Sequence, residues 1–187
     1  MNSATAIQTF TGIFFDPFAP DPDKIRIEDI AHALAMQCRF SGHVRKRWSV
    51  AQHSLMVSDL CPAKLRFKGL LHDAAEAYIV DLPRPIKHAN GFERYRDIEK
   101  DVEACIALRF DLDMGMEPDV KRADNLCLWA EADALLHGTR DWAFDKPADL
   151  DADQFTQLVR AIRGANPPTD DYIKEEFLRT FYALGGK

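Results

Sequence analysis

The chain has 187 residues, a length that suits one ordinary domain with a substantial buried core. Its composition, 47% hydrophobic and 29% charged, is typical of a globular protein, and no apolar run reaches the roughly 18 residues that a membrane span requires. A formal net charge of -6 argues against a nonspecific nucleic-acid binder, which needs a positive surface to release counterions. The N-terminus lacks a basic stretch followed by an apolar one, so we expect a cytoplasmic protein without a membrane span.

The cysteines are widely spaced and include no Cys-x-x-Cys pair: they are Cys38, Cys61, Cys105 and Cys127. Three of them stand where the core face of a helix would carry a small apolar residue. This pattern favours reduced, buried thiols over disulfides or a zinc knuckle.

The first 26 residues are the least helical part of the chain. β-branched and aromatic residues over 7–15 flank the pair Thr11-Gly12, and Asp-Pro pairs follow at 16–17 and 21–22. This arrangement predicts a short hairpin or an irregular extended arm at the N-terminus.

Helical spacing of apolar residues begins at Ile27 and predicts a first helix over 27–39, followed by a loop over 41–48. Ser49 and Gln52 form a capping-box pattern, which predicts that a second helix begins there. Pro62 is expected to end this second helix.

A third helix is predicted over 63–78, and prolines at 83 and 85 predict a loop over 81–85. Apolar stripes predict later helices around 98–109, after Pro118, around 155–162 and around 172–182. We therefore expect one all-α domain, with a core over about 27–140 and C-terminal helices over 148–184 that pack as a cover.

Imidazole and carboxylate side chains stand on three of these predicted helices. His53 lies on the second, His72 and Asp73 on the third, and Asp124 on the fifth. Mixed nitrogen and oxygen ligands suit a borderline divalent transition metal better than calcium or magnesium. Glu76 follows His72 by four residues, which places a polar face on an otherwise apolar helix. Such burial is costly unless the groups are paired or metal-bound.

Four strings resemble the HD superfamily of metal-dependent phosphohydrolases, and more narrowly the bacterial 5′-deoxynucleotidases and related small phage and bacterial HD hydrolases. They are SVAQHS at 49–54, LHDAAEAY at 71–78, DLPRPIK at 81–87 and KRADN at 121–125. The resemblance covers about half of the chain. It implies an HD-domain helical bundle in which His53, His72, Asp73 and Asp124 bind the metal and Glu76 is the catalytic carboxylate.

The resemblance also implies substrate contacts. Asp81 matches a residue that contacts the sugar hydroxyl, and Arg39, beside Phe40, stands where the deoxynucleotidases have Arg-Trp before the first ligand. Basic groups should neutralise phosphate charge, and an aromatic ring could stack on a base. The predicted substrate-binding set is Arg39, Asp81, Lys87, His43 and Trp48, with Arg47 and Phe40 as further candidates.

The number of bound metal ions can be predicted from the histidines. Two-metal HD enzymes insert additional histidines between the His-Asp pair and the last aspartate, whereas only His88 lies between Asp73 and Asp124 here. We therefore predict one divalent ion of Co, Mn, Fe, Ni or Zn. The same shortage argues against the HD proteins that use two irons and oxygen.

The implied reaction is hydrolysis of a (deoxy)nucleoside 5′-monophosphate, with Glu76 positioning or deprotonating the attacking water. A nucleoside triphosphohydrolase is the alternative, and a basic pocket that uses Arg45 and Arg47 would favour it. A catalytically inactive nucleotide-binding module is a third interpretation, which would not need Glu76 beside the metal. Similar proteins are commonly dimers or larger, so a homo-oligomer is expected.

Overall fold

The structure is a computed structural model that describes residues 4–113, 115, 117–137 and 150–187. Two short strands, β1 (Ile7–Gln8) and β2 (Phe14–Phe15), pair antiparallel as an N-terminal hairpin. Helices dominate everything that follows. The predicted all-α class with a short hairpin arm is therefore confirmed.

The helices of the described residues are, in chain order, α1 (Ile27–Met36), α2 (Val50–Leu60), α3 (Arg66–Leu71), α4 (Glu76–Ile79), α5 (Arg84–Lys87), α6 (Glu93–Phe110), α7 (Pro118–Leu135), α8 (Ala152–Gly164) and α9 (Asp170–Ala183). Short 3₁₀ turns lie at Pro22–Lys24, Arg39–Gly42 and Ala63–Leu65. None of these helices combines the length and apolar character that a membrane crossing requires. The predicted limits at residues 140 and 148 lie outside the described residues.

Helix α2 begins at the predicted capping box. The Ser49 hydroxyl accepts the backbone N–H of Gln52 at 3.2 Å, and the Gln52 side-chain oxygen accepts the backbone N–H of Ser49 at 3.0 Å. These reciprocal bonds satisfy donors that the first helical turn would otherwise leave unpaired. They fix the start of α2 at Val50, three residues before His53.

The predicted third helix over 63–78 is wrong as a continuous element. Tight turns over 72–75 separate α3 from α4. In this connection the backbone N–H of Glu76 donates to the carbonyl of Asp73, three residues back, at 3.1 Å. Winding of this kind has about three residues per turn. The α-helical spacing that predicted a shared face for His72, Asp73 and Glu76 therefore does not apply.

The predicted loop over 81–85 is shorter than expected, because α5 begins at Arg84. Pro85 occupies the first turn of this helix, where its missing N–H removes no intrahelical hydrogen bond. The prolines therefore set where the short helix starts.

The main hydrophobic core lies between α1, α2, α3, α6 and α9. Helix α9 contributes Phe177 and Phe181, which are both wholly buried, so it belongs to the core and is not the cover that we expected. Helix α8 packs on α7 through Val159 and Ile162 in a separate cluster. Three of the four free cysteines are buried, as predicted: Cys61, Cys105 and Cys127.

Helices α2 and α3 approach closely at Gly69. A Cβ atom there would lie 2.8 Å from the Cys61 sulfur and 3.2 Å from the Cα of Ser58. The Ser58 hydroxyl also donates to the carbonyl of Arg66 at 2.8 Å. The close approach at Gly69 and the hydrogen bond to Arg66 together hold α3 against α2, and His72 follows directly after α3.

Candidate metal centre

Two imidazole rings face each other where α2 meets the end of α3. The ring centroids of His53 and His72 are 5.2 Å apart. His53 is wholly buried, and the His72 side chain is 4% exposed. Neither Nε2 atom has a hydrogen-bond partner among the described residues. Two buried polar atoms without partners call for an explanation.

Carboxylate oxygens surround these two nitrogens. Asp73 Oδ2 lies 3.6 Å from the Nε2 of His53 and 3.2 Å from that of His72. Asp124 Oδ1, from α7, lies 3.2 Å from the Nε2 of His53 and 3.9 Å from that of His72. The ligand atoms of His53, His72 and Asp73 lie within 4.8 Å of one another, so this buried cluster could hold a metal ion.

In its neutral form, each imidazole has the tautomer that a metal ligand needs. His53 Nδ1 lies 2.9 Å from Glu131 Oε1, and His72 Nδ1 lies 2.8 Å from the carbonyl oxygen of Gly69. Carboxylate and carbonyl oxygens only accept, so each Nδ1 carries the hydrogen. A neutral ring then leaves its lone pair at Nε2, facing the aspartates.

The cluster attracts positive charge. Burial and Arg39 oppose protonation of His53, yet Glu131 and Asp124 outweigh them and raise its pKa to about 9. A proton or a metal ion at this position relieves the same concentration of negative charge. Two nitrogens and two carboxylates also form a donor set that suits a borderline divalent ion, so the residues fit the predicted metal.

The two aspartates are ionised at neutral pH. Burial favours the neutral acid, but His72 and His53 hold the pKa of Asp73 below its usual range. Burial is likewise outweighed at Asp124, whose pKa the two imidazoles and Lys121 hold well below its usual range. Lys121 Nζ donates to Asp124 Oδ2 at 2.7 Å. Both carboxylates are therefore in the form that binds cations.

Glu76 lies just beyond the cluster, at the first position of α4. Its Oε2 is buried and has no hydrogen-bond partner among the described residues. Burial and the charges of Asp73 and Asp81 raise the pKa of Glu76 well above its ordinary value, although Arg39 and Lys87 oppose this. A carboxyl group with a raised pKa can hold and exchange a proton near neutral pH.

Arg39 lies between three acidic side chains of the site, those of Asp73, Asp81 and Glu131. Its Nη1 is 3.9 Å from Asp73 Oδ2 and 4.0 Å from Asp81 Oδ2. Its Nε donates to Glu131 Oε2 at 3.2 Å. Burial lowers the pKa of Arg39, but these acids outweigh burial and raise it, so the buried guanidinium stays charged.

The segment that carries Glu76 and Asp81 is held by Gln37. The Gln37 side-chain nitrogen donates to the carbonyl of Glu76 at 2.9 Å, and its oxygen accepts the backbone N–H of Asp81 at 3.0 Å. Val80, between them, has a φ of 78°, a strained value for a β-branched residue. Tyr95 donates its hydroxyl to the carbonyl of Val80 at 2.7 Å, which holds this conformation.

Lys87 lies beside the site but already has a partner. Its Nζ donates to Glu99 Oε1 at 2.5 Å. Burial lowers the pKa of Lys87, but Glu99, Glu76 and Asp73 together raise it above the ordinary value. Its ammonium group therefore contributes positive charge near Glu76.

Two predicted substrate contacts, Trp48 and His43, make no hydrogen bond or ion pair with the four predicted metal ligands among the described residues. Trp48 is 6% exposed and packs against Ala130 and Leu135, and its Nε1 donates to Glu131 Oε1 at 2.9 Å. An enclosed indole has no free face for a base in this arrangement, so the geometry does not support the predicted stacking role. His43 is exposed, and no contact links its side chain to the cluster within the part of the chain that the structure describes.

Two side chains of the basic run at 45–47, those of Lys46 and Arg47, bind the C-terminal carbonyls of other helices. Lys46 donates to the carbonyls of Arg163 and Ala165, at the end of α8, at 3.1 and 2.6 Å. Arg47 Nη2 donates to the carbonyl of Ala35, in α1, at 2.7 Å and lies 2.8 Å from Asp170 Oδ1. Basic side chains at helix C-termini satisfy the last carbonyls. These partners give no support to the predicted phosphate contact of Arg47.

Glu131 is the site residue that the sequence reasoning missed. It is wholly buried on α7, seven residues after Asp124, which places both on the same side of that helix. An acidic residue at this spacing within a run as apolar as 126–136 is the signal that could have found it.

Two cavities open near these helices. One, of about 180 Å³, adjoins His72 and is lined on its other sides by Lys68, Glu103 and Ile106, among others. The other, of about 280 Å³, is lined by residues such as Leu60 and Arg122 and by none of the metal-cluster residues. Of these two cavities, the smaller one has His72 in its lining but none of the other three predicted metal ligands.

Comparison with known proteins places the chain among bacterial relatives. No family model matches it. It is 39% identical over 125 residues to the uncharacterized protein YfdR of Escherichia coli strain K12, which covers 67% of this chain and 69% of YfdR. It is 36% identical over 176 residues to the uncharacterized protein RCAP_rcc00048 of Rhodobacter capsulatus, which covers 84% of this chain and 86% of that protein. The chain therefore belongs to the family that includes YfdR and RCAP_rcc00048.

Proposed function

We propose that this protein is a metal-dependent phosphohydrolase that acts on (deoxy)nucleotides and converts 5′-monophosphates to nucleoside and phosphate. The observation that carries the proposal is the convergence of two unpartnered imidazole nitrogens with Asp73 and Asp124, next to the buried Glu76 carboxyl. The four strings that resemble the HD superfamily support the same reaction class.

One divalent transition metal ion would be held by four residues: His53, His72, Asp73 and Asp124. Such an ion supplies Lewis-acid activation of a phosphate ester and of the attacking water. The charges around the cluster support this requirement, because the carboxylates of Asp73, Asp124 and Asp81 would otherwise repel an anionic substrate.

Glu76 would transfer the proton. Its buried Oε2 has no partner, and its pKa is raised by burial and by Asp73 and Asp81. In this role Oε2 takes a proton from the attacking water and returns it to the leaving oxygen of the ester. The same carboxyl group must therefore alternate between its two protonation states during turnover.

Arg39 and Lys87 would bind the phosphate. Both are cationic, and both lie near enough to Glu76 to oppose the rise of its pKa. The Nη1 atom of Arg39 lies 3.9 Å from Asp73 Oδ2. The Asp81 carboxylate is the candidate acceptor for a sugar hydroxyl, held in place by the bond from its backbone to Gln37.

The triphosphohydrolase alternative needs more positive charge than this site offers. Arg47, one of the two arginines that would favour it, is paired with Asp170 and caps α1. The other, Arg45, is exposed. The monophosphate reaction therefore remains the better-supported proposal.

The test is incubation of the metal-loaded protein with a panel of nucleoside mono-, di- and triphosphates, with identification of the phosphate species released. We expect orthophosphate from 5′-monophosphates, and a kcat about 10²–10⁴-fold lower in a matched Glu76→Gln variant that still binds metal. Release of triphosphate would support the alternative. A protein that binds metal yet hydrolyses none of the panel would refute the phosphohydrolase proposal and favour a binding module.

A further inference from the structure

We infer that Glu131 is a positioning residue that links the metal cluster to the guanidinium of Arg39. Its Oε1 accepts the N–H of His53 Nδ1 and that of Trp48 Nε1, each at 2.9 Å. Its Oε2 accepts from Arg39 Nε at 3.2 Å and lies 3.2 Å from Arg39 Nη2. The inference rests on the proposed metal site and not on the identity of the substrate.

Only an ionised carboxylate can serve all of these donors. Four N–H groups converge on two oxygens, and a carboxylate offers about four lone-pair positions and no hydrogen of its own. Glu131 is wholly buried, so water cannot replace a lost acceptor without rearrangement of the core. The side chain is therefore suited to this one arrangement of neighbours.

The first consequence concerns the metal ligand. By accepting the hydrogen of His53 Nδ1, Glu131 leaves the lone pair of that ring at Nε2, which lies 3.2 Å from Asp124 Oδ1. Hydrogen bonds of this type fix the orientation of a ligating imidazole and raise its basicity.

The second consequence concerns the anion-binding group. Glu131 engages the edge of Arg39 that carries Nε and Nη2. The remaining nitrogen, Nη1, then lies 3.9 Å from Asp73 Oδ2 and 4.0 Å from Asp81 Oδ2. One carboxylate thus determines both which nitrogen of His53 faces the metal and which nitrogen of Arg39 faces the substrate.

Glutamine at position 131 tests this arrangement because it preserves size and removes half of the acceptors. If its amide nitrogen faces His53, the ring must place its hydrogen on Nε2 and can no longer bind a metal there. If the amide nitrogen faces Arg39, two N–H donors point at each other and the buried guanidinium loses its nearest counter-charge. Each orientation of the amide therefore disrupts either the metal ligand His53 or the guanidinium of Arg39.

The experiment measures metal affinity by competition with a chelator, the visible spectrum of the Co²⁺-loaded protein, and binding of inorganic phosphate at saturating metal. For Glu131→Gln we expect metal affinity to fall about 10–100-fold, with a changed Co²⁺ spectrum and weaker phosphate binding. Trp48→Phe is the matched control, because it removes a donor to the same oxygen and leaves the carboxylate in place. We expect its metal affinity and Co²⁺ spectrum to match the wild type.

Unchanged metal affinity in a folded Glu131→Gln variant would overturn the inference. Lost metal affinity with unchanged phosphate binding would overturn the link to Arg39. If the glutamine variant does not fold, Glu131→Asp takes its place, and wild-type affinity in that variant overturns the inference as well. A wild-type protein that binds metal but hydrolyses no nucleotide would refute the proposed function and leave this inference standing.

Discussion

The interface between α2 and α7 has two halves of opposite character, although the same two helices form both. In one half, His53 of α2 faces Asp124 and Glu131 of α7. The other half is apolar and consists of Val57, Cys61, Val120, Ala123 and Cys127.

The two halves serve different purposes. Burial of apolar side chains stabilises the fold by about 25 cal/mol per Å² removed from water. Buried charges do not give a comparable net gain, because their loss of hydration offsets their attraction. We therefore expect the polar half to determine cation binding and the apolar half to determine stability, and variants in the two halves should separate these properties.

The largest effect is expected from Asp124→Asn. The amide keeps the shape of the side chain but removes the charge that faces His53, so metal affinity should fall by more than about 100-fold, and hydrolysis with it. Chelator competition measures the affinity, and thermal melting without metal serves as the control for folding. A variant that keeps wild-type affinity would contradict the assignment of cation binding to the polar half of the interface.

Glu76→Gln should separate proton transfer from metal binding. Because Glu76 lies outside the four proposed ligands, the metal should stay bound while kcat for a nucleoside 5′-monophosphate falls about 10²–10⁴-fold. Steady-state kinetics and metal analysis of the same sample give both values. Full activity in this variant would exclude a role for Glu76 in the proton transfer.

Stability without metal should depend on pH through His53. Its pKa is raised from 6.5 to about 9, so the charged ring contributes its full stabilisation below about pH 6.5 and loses it as the pH rises to about 9. The loss should reach a few kcal/mol at most. A metal-loaded protein has a neutral His53 ligand, so the difference in melting temperature between loaded and metal-free protein should widen over this range. A constant difference would count against this pKa.

The apolar half should respond in the opposite way. Val57→Ala removes two buried methyl groups next to Cys61, and the free energy of unfolding should fall by about 2 kcal/mol. Metal affinity should stay at the wild-type value, because Val57 belongs to the apolar cluster with Cys61 and Val120 and supplies no proposed ligand atom. Denaturant unfolding of the metal-free protein measures the first quantity, and chelator competition the second. A large loss of metal affinity would show that the halves are coupled.

Local signals made much of the fold predictable. The capping box of Ser49 and Gln52 marked the start of α2, and Pro118 marked the start of α7. Both are short-range effects, which a sequence displays directly. The convergence of His53 and Asp124 was predicted from a family resemblance, because spacing along the chain does not say which helices pack together.

Other features depended on tertiary contacts that no local pattern reveals. The break after Leu71 occurs within a segment that favours a helix, where Gly69 lets α3 approach α2 closely. Trp48 and Arg47 looked available in a loop, yet Glu131 and Asp170 occupy their polar groups. In both cases the side chain binds a residue far along the chain, which the local sequence does not reveal.

The proposed site binds one divalent ion between α2, the end of α3 and α7. Titration of the metal-free protein with Co²⁺, followed by visible absorption, measures this binding. We predict saturation at one equivalent per chain, with the signal lost in Asp124→Asn and kept in Val57→Ala. An absence of saturable binding, or a spectrum that Asp124→Asn leaves unchanged, would contradict it.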